Sequence, residues 1–307
     1  MKIYAAPLQG YTDAAWRSAH RSLYGDGVDA YFAPFVRVEH GEVRRRDLVD
    51  TALTTAYTLV PQVIFRDVAE FDIAVQALVN QGYTRVDLNL GCPFPPQVKH
   101  GRGAGALVNP ALLSAVAERM HGMSQVRFSV KMRLGVDDAQ QWRASAETLA
   151  AMPVKFVTIH PRIARQGYKG ELLLDELAEA IRVLPHPIIF NGEVAGIQDI
   201  DRAMAIEGMS GVMIGRGLLR RPSLVAEWRE GREWTPTERL RKMCELHHLV
   251  YEQRAERLQG GEAQVLQSMR TFWDYADDEV DRRQLKAIRK ANTLPRYFDA
   301  VNQLVWH

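Results

Sequence analysis

The stretch RVDLNLG (85–91), running on into Cys92-Pro93, decides how this chain folds. It has the length and apolar character of a buried strand, and it stops at Gly91 and Pro93, residues that punctuate strands. Three runs of the same kind precede it: KIYAAP (2–7), DAYFAPF (29–35) and TLVPQVIF (58–65). Four follow: RFSVKMR (127–133), FVTIHPR (156–162), PIIFNGE (187–193) and GVMIGRG (211–217). Each is nearly continuously apolar until its last few residues, the pattern of strands covered on both faces. Helical stretches lie between them at 68–81, 110–122, 140–151, 174–183 and 197–206, and Asn109-Pro110 supplies an N-cap and first-turn pair for one. Strands alternating with helices over residues 1–230 predict an α/β chain built as a (β/α)8 TIM barrel. A doubly wound open sheet would not normally need eight such units.

After Pro222 the strand pattern stops. Thr-Pro-Thr-Glu (235–238) opens a helix over 236–258, with Leu240, Cys244, Leu246, Leu249, Val250 and Leu258 along it. Gly260-Gly261 breaks the chain, helical stretches follow at 263–275 and 282–290, and Pro295 stands near the start of a last short one. The expected division is a catalytic barrel over 1–232 and a small helical domain over 233–307.

Composition narrows the class. No apolar run approaches the roughly 18 residues a membrane span needs. The N-terminal MKIYAAPLQGYTD turns polar too quickly for a secretory signal. Two cysteines, Cys92 and Cys244, make a disulfide framework a poor reading and a reducing cytoplasm the expected location. A net charge of +2 neither demands nor excludes a nucleic-acid partner. A cytoplasmic monomer is the expectation.

In such a barrel the active site lies at the C-terminal ends of the strands, and the polar residues collect there. Strand 1 ends in Pro7-Leu8-Gln9-Gly10, strand 3 carries Gln62, and strand 4 gives Asn89-Leu90-Gly91-Cys92-Pro93. Strand 5 offers Lys131 and Arg133, strand 6 His160 and Arg162, strand 7 Asn191-Gly192-Glu193, and strand 8 Gly215-Arg216-Gly217. One polar strand end is commonly just solvated; seven on one rim are hard to explain that way. The loops after strands 7 and 8 commonly bind phosphate in these barrels. Their glycines admit a close anion, and Arg216 can grip it with two bonds.

Lys131 interrupts an apolar strand, where an ammonium is costly unless it meets an anion or polar ligand. A lone histidine like His160 is more often a satisfied core residue than a ligand. Cys92, His100, His160 and His186 lack metal-ligand spacing, so no metal is expected. No Gly-x-Gly-x-x-Gly follows the first strand, which argues against a classical dinucleotide fold. Gly101-Arg102-Gly103-Ala104-Gly105 reads equally as a mobile lid or as a close backbone approach to substrate. A phosphate grip, a buried lysine, amide side chains and no metal suit flavin mononucleotide (FMN). Gln62 and Asn89 would then address the ring edge and Lys131 its polar side. Residue chemistry alone leaves pyridoxal phosphate or a phosphorylated sugar open.

The chain resembles the tRNA-dihydrouridine synthases. The resemblance runs through Ala-Pro-Leu-Gln-Gly-Tyr-Thr-Asp (6–13), Val-Asp-Leu-Asn-Leu-Gly-Cys-Pro (86–93) and Gly-Arg-Gly-Ala-Gly-Ala-Leu (101–107). It continues in Val-Lys-Met-Arg-Leu-Gly (130–135), His-Pro-Arg with Gln-Gly-Tyr-Lys-Gly (160–170), Asn-Gly-Glu (191–193) and Met-Ile-Gly-Arg-Gly (213–217). It implies an FMN enzyme that uses NADPH to reduce the C5=C6 bond of D-loop uridines in tRNA. Carried over by motif, Pro7, Leu8, Gln9, Gln62, Lys131, His160, Asn191, Gly192, Glu193, Gly215 and Arg216 would hold FMN. Asn89 would orient the uracil, and Cys92 would protonate C5 after hydride passes from flavin N5 to C6. A free thiol with a pKa near 8.5 carries its proton at neutral pH. For Cys244, on an apolar helical face, a small inert hydrophobe is the expected role.

The reacting base must leave its stack, and tRNA loops offer such bases. Arg37, Arg162, Arg165, Lys169, Arg270, Arg282, Arg283, Lys286, Arg289 and Lys290 are candidate phosphate contacts, and Tyr168 a packing surface for the nucleotide. Asp277, Asp278, Glu279 and Asp281 interleave with the basic residues of the tail, as on an ordinary solvated face. Leu8 and Gln9 stand where methionine and an acidic residue are more usual in the family. Pro161 and Ile163 replace Gly and Thr, and Phe94-Pro95-Pro96 replaces a more polar stretch. Phe35-Val36-Arg37-Val38 resembles the bacterial C-type subfamily, which modifies position 16. Competing readings are an FMN barrel reductase acting on a free pyrimidine or enone, as in dihydroorotate dehydrogenases, and a tRNA-binding chaperone without chemistry.

Overall fold

The computed structural model describes residues 1–304. Eight strands close into a parallel barrel: β1 (Lys2–Ala5), β2 (Ala30–Val36), β3 (Leu59–Val63), β4 (Arg85–Leu90), β5 (Arg127–Met132), β6 (Val154–Ile159), β7 (Ile188–Phe190) and β8 (Met209–Ile214). Each overlaps one of the eight apolar runs, with β2 reaching one residue past its run and β6 and β8 starting before theirs, and the order around the barrel follows the chain, so the α/β (β/α)8 expectation holds. Side-chain caps open two of the helices between strands. Asp67 accepts the N–H of Glu70 to open Val68–Asn80, and Asn109 accepts that of Leu112 ahead of Pro110 to open Pro110–His121.

Chain contacts divide the molecule into two compact units. The first comprises Met1–Pro7, Ala30–Gly192 and Arg202–Met213, and so contains nearly all of the barrel sheet. One layer of its interior is apolar: Ala6, Ala30, Phe32, Val60, Ile189 and Met213, with Tyr4 and Phe156 packed against them. Farther along the same strands the character changes. Gln62 pairs in register with Asp87, Asp87 with Ser129, Asn89 with Lys131, and Lys131 with Thr158. Because side chains alternate faces with period two, these matched positions form polar layers on one side of the sheet.

The second unit comprises Leu8–Asp29, Glu193–Asp201 and the chain from Ile214 onward. Its long helix Pro236–Arg257 opens on the expected signal: Thr235 and Glu238 form a reciprocal capping box, with Pro236 at the first position. That helix packs against Ala14–Tyr24, a helix the apolar pattern does not announce. Asp13 serves both: one carboxylate oxygen caps Ala14–Tyr24 through the N–H of Trp16, and the other meets Arg254 Nε at 2.9 Å. The tail continues as Gly261–Arg270, Arg282–Lys290 and Leu294–Asn302. Among the described residues no helix is long and apolar enough to cross a membrane.

Candidate active site

Cys92 stands immediately beyond β4, partly exposed. Its backbone is held from two sides. Asn89 Oδ1 accepts the N–H of Cys92 at 2.9 Å and that of Gly91 at 3.2 Å. On the other side the Cys92 carbonyl accepts the N–H of Ala104 at 3.2 Å. The Gly-rich segment therefore packs closely against the Cys92 backbone. A Cβ at Gly103 would lie 2.7 Å from the Cβ of Cys92, and φ there is +59°, a conformation L side chains rarely adopt. The residues that sequence reading leaves as a loop form two short helices, Pro95–Lys99 and Ala104–Leu107. Arg102 clamps this segment to the barrel unit. Its Nε meets Glu70 Oε2 at 2.9 Å, its Nη2 meets Glu70 Oε1, and the same Nη2 reaches Val38 O at 3.4 Å.

Behind Asn89 a chain of buried hydrogen bonds runs into the barrel. Asn89 Nδ2 donates to Gln62 Oε1 at 2.9 Å, Gln62 Nε2 donates to Asp87 Oδ2 at 2.6 Å, and Ser129 Oγ donates to Asp87 Oδ1 at 2.5 Å. Gln62 and Asn89 are thus brought together, and two members that sequence reading passed over, Asp87 and Ser129, complete the chain. The signal was present, since Asp87 and Asn89 share a face of β4 at spacing two and Ser129 and Lys131 share one of β5.

Burial depresses the Lys131 ammonium to about 8, with Arg133 a second cation acting in the same direction and Asp87 and Cys92 opposing it. Among the described residues the Lys131 side chain makes no hydrogen bond or ion pair. A cation so placed suits an electron-rich ligand atom. Arg133 is 2% exposed, and burial lowers it to about 10. It donates to Ile163 O at 2.9 Å and lies 5.4 Å from the ring centroid of Tyr168. The Cys92 thiol is pushed up by burial, while a backbone hydrogen bond from Phe94 and the charges of Arg133 and Lys131 pull the other way. It is a thiol at neutral pH.

Past β6, His160 is buried, with its ring stacked 6.2 Å from that of Tyr168 and its Nε2 3.4 Å from Arg162 Nη1. Tyr168 itself is 45% exposed. Arg162 is buried at 3% and spends Nη2 and Nε on Gly170 O, at 2.6 and 3.2 Å, so it shapes this loop from within. Arg37 is partly buried beside Glu39 at 3.5 Å. Asn191 donates to Met213 O at 2.8 Å, tying the ends of β7 and β8 together, and Gly192 follows it. Pro7 follows β1 and is partly exposed.

Within the second unit, Leu8 begins a turn whose carbonyl accepts the N–H groups of Tyr11 and Thr12, and Gln9 is exposed. Glu193 and Arg216 meet at 2.9 Å, and Gly215 precedes the helix Arg216–Arg220. Gly217 is dictated by space, because a Cβ there would lie 1.9 Å from Val194 O. Arg270 is partly buried and bonds Ala291 O and, at 3.4 Å, Gln267.

The family model described as dihydrouridine synthase matches residues 4–303. The "tRNA-dihydrouridine(16) synthase" of Cupriavidus necator is 29% identical over 77% of this chain and 76% of its own. That of Ralstonia nicotianae is 30% identical over 73% and 71%. The solved structure of histamine dehydrogenase from Rhizobium sp. 4-9 aligns with a TM-score of 0.50 and 10% identity, over 81% of this chain and 49% of that one, a likeness of fold alone. With its match running from the first strand of the barrel to the last helix of the tail, the chain belongs to the dihydrouridine synthase family.

Proposed function

We propose that this protein is a tRNA-dihydrouridine synthase that reduces the C5=C6 bond of a D-loop uridine, with position 16 as the target. Family membership and the relatives named for position 16 support the reaction and its site. The observation that carries it is Cys92, a protonated thiol at the barrel rim, pinned through its own N–H by Asn89. FMN, reduced by NADPH, supplies the hydride delivered to C6.

The residues suit that cofactor. Lys131 offers a buried ammonium beside Asp87 and Cys92, Gln62 and Asn89 offer amides, and His160 and Asn191 stand at the ends of neighbouring strands. Pro7, Leu8, Gln9, Gly192, Glu193, Gly215 and Arg216 are assigned to FMN by motif, the last as its phosphate ligand. Negative charge left at C5 and the adjacent carbonyl is quenched by a proton from Cys92 Sγ. Burial keeps that proton on sulfur until it is required. The lowered Lys131 and the neighbouring Arg133 then favour the thiolate that remains.

Of the groups considered for the nucleotide, Asn89 and the half-exposed Tyr168 suit direct contact with it, and Arg37 suits its phosphates. Arg162 acts by holding the loop that carries Tyr168. The helical tail, over 233–307 with Arg270 within it, is assigned to tRNA as a region. The test is mass spectrometry of tRNA from cells with and without this protein, together with flavin absorbance of the purified protein. Dihydrouridine lost at position 16 and a yellow protein bleached by NADPH are expected. A colourless protein, or unchanged dihydrouridine, would overturn the reading.

A further inference from the structure

Asp87 takes no part in the reaction outlined above, yet it is fully buried at 0% exposure, where a carboxylate is costly to keep. Primary amides are nearly symmetric in shape, and their neighbours decide which end donates. Here the two ends of the chain cannot exchange roles. An ionised Asp87 only accepts, and the N–H of Cys92 only donates. Gln62 must therefore turn its Nε2 to Asp87 and its Oε1 to Asn89, which leaves Asn89 Oδ1 for the N–H of Cys92. Ser129 fills the second oxygen of the carboxylate, at 2.5 Å.

We infer that Asp87 is a positioning residue for the proposed reaction: its carboxylate sets the direction of the Gln62 and Asn89 amides and thereby the presentation of Asn89 and Cys92 to the uracil. The chemistry of this inference rests on the dihydrouridine synthase reading; the bond directions do not. The charge is a burden to the fold. Burial raises the Asp87 carboxyl to about 6, with Ser129, Gln62 and the Lys131 ammonium pulling it back. A carboxyl raised in this way subtracts from stability at higher pH. Asparagine at 87 removes the charge and keeps the shape, and leaves the N–H groups of Gly91 and Cys92 alone to hold the direction of the amides.

The experiment compares FMN-loaded wild-type and Asp87→Asn enzyme. A thermal midpoint at least equal to wild type, unchanged flavin reduction by NADPH and full FMN content are expected. Re-oxidation of the reduced flavin by tRNA should slow about tenfold, with the KM for tRNA within about twofold, the split expected of an interaction used only in the transition state. Re-oxidation at the wild-type rate, or a loss that tracks lost FMN, would overturn the inference. If Asp87→Asn does not fold, the wild-type pH profile decides. Protonating Asp87, which faces Lys131 as its one charged neighbour, should slow re-oxidation as pH falls through about 6; a flat profile from about pH 5 to 7 overturns it. Wild type that binds FMN but forms no dihydrouridine would defeat the functional reading instead. The positioning role would then stand or fall on the rate of Cys92 alkylation by iodoacetamide, expected to change at least about threefold in Asp87→Asn and overturned by no change.

Discussion

Each unit contains a buried polar network and a cysteine, and the two pairs are put together differently. In the barrel, hydrogen bonds begin at Asp87 and Ser129, pass through Gln62 and Asn89, and end on the N–H of a partly exposed Cys92. In the helical unit, Trp273 Nε1 donates to Tyr297 Oη at 2.8 Å, that hydroxyl donates to Met269 O at 3.1 Å, and His247 Nε2 lies 2.7 Å away. Phe272 and Phe298 close around the His247 ring. The first network leads outward to the backbone of a partly exposed cysteine; the second leads back into its own core. The cysteines follow suit. Burial raises both thiols, but Cys92 has Arg133 and Lys131 to stabilise a thiolate, whereas Glu245 adds to the rise of Cys244, to about 11. A buried polar chain serves chemistry when its last member is a group the substrate can reach, and stability when it is not.

The largest break in this comparison is expected from Cys92→Ala. Removing a general acid costs on the order of 100-fold or more, so dihydrouridine formation should fall by that much while FMN content and thermal midpoint persist. Full activity would remove Cys92 from its role. Gly103→Ala should rank next. The added Cβ meets Cys92 at 2.7 Å and φ is +59°. We expect a loss of about 2 kcal/mol in denaturant unfolding and a several-fold lower kcat, through strain and displacement of the Cys92 turn. A variant as stable and active as wild type would show that the turn yields freely.

The closed network is tested by acid. Burial lowers His247 to about 3 and His20 to about 4, so the folded protein binds fewer protons than the unfolded chain below the ordinary histidine value. The histidines' contribution to stability should therefore be complete above about pH 6.5 and decline as pH falls toward 4, by up to about 1.4 kcal/mol per pH unit for each histidine. Asp47 and Asp87, raised by burial to about 7 and about 6, act in the opposite sense, so the contribution is read as the difference between wild type and His247→Gln, which should gain stability relative to wild type as pH falls toward 4. A difference independent of pH would refute it. Trp273→Phe should cost about 1 kcal/mol and leave kcat unchanged. The smallest effect belongs to Cys244→Ala, with kcat within about twofold of wild type, as for a residue whose role is packing.

Much of this was legible in the sequence. Apolar runs ending in polar residues fix a parallel barrel because a strand covered on both faces must be apolar throughout, and its open end is where polar groups survive. Asn109-Pro110 and the Thr235–Glu238 box were legible because capping is a local interaction. Cys92, Asn89 and Lys131 were legible because each departs from its surroundings within a few residues. The helix Ala14–Tyr24 was not, since it presents Arg17 and His20 among its buried positions and so breaks the apolar pattern.

Only the tertiary structure decided that the Gly-rich segment packs beneath Cys92 through Gly103, that Arg162 faces inward, and that Arg102 and Glu70 form one clamp. It also decided which partners Asp87 meets. Local sequence determines what a residue can donate, accept or bury. Which partner it meets depends on strand register, and Gln62, Asp87 and Ser129 become neighbours only when three strands separated by tens of residues come into line.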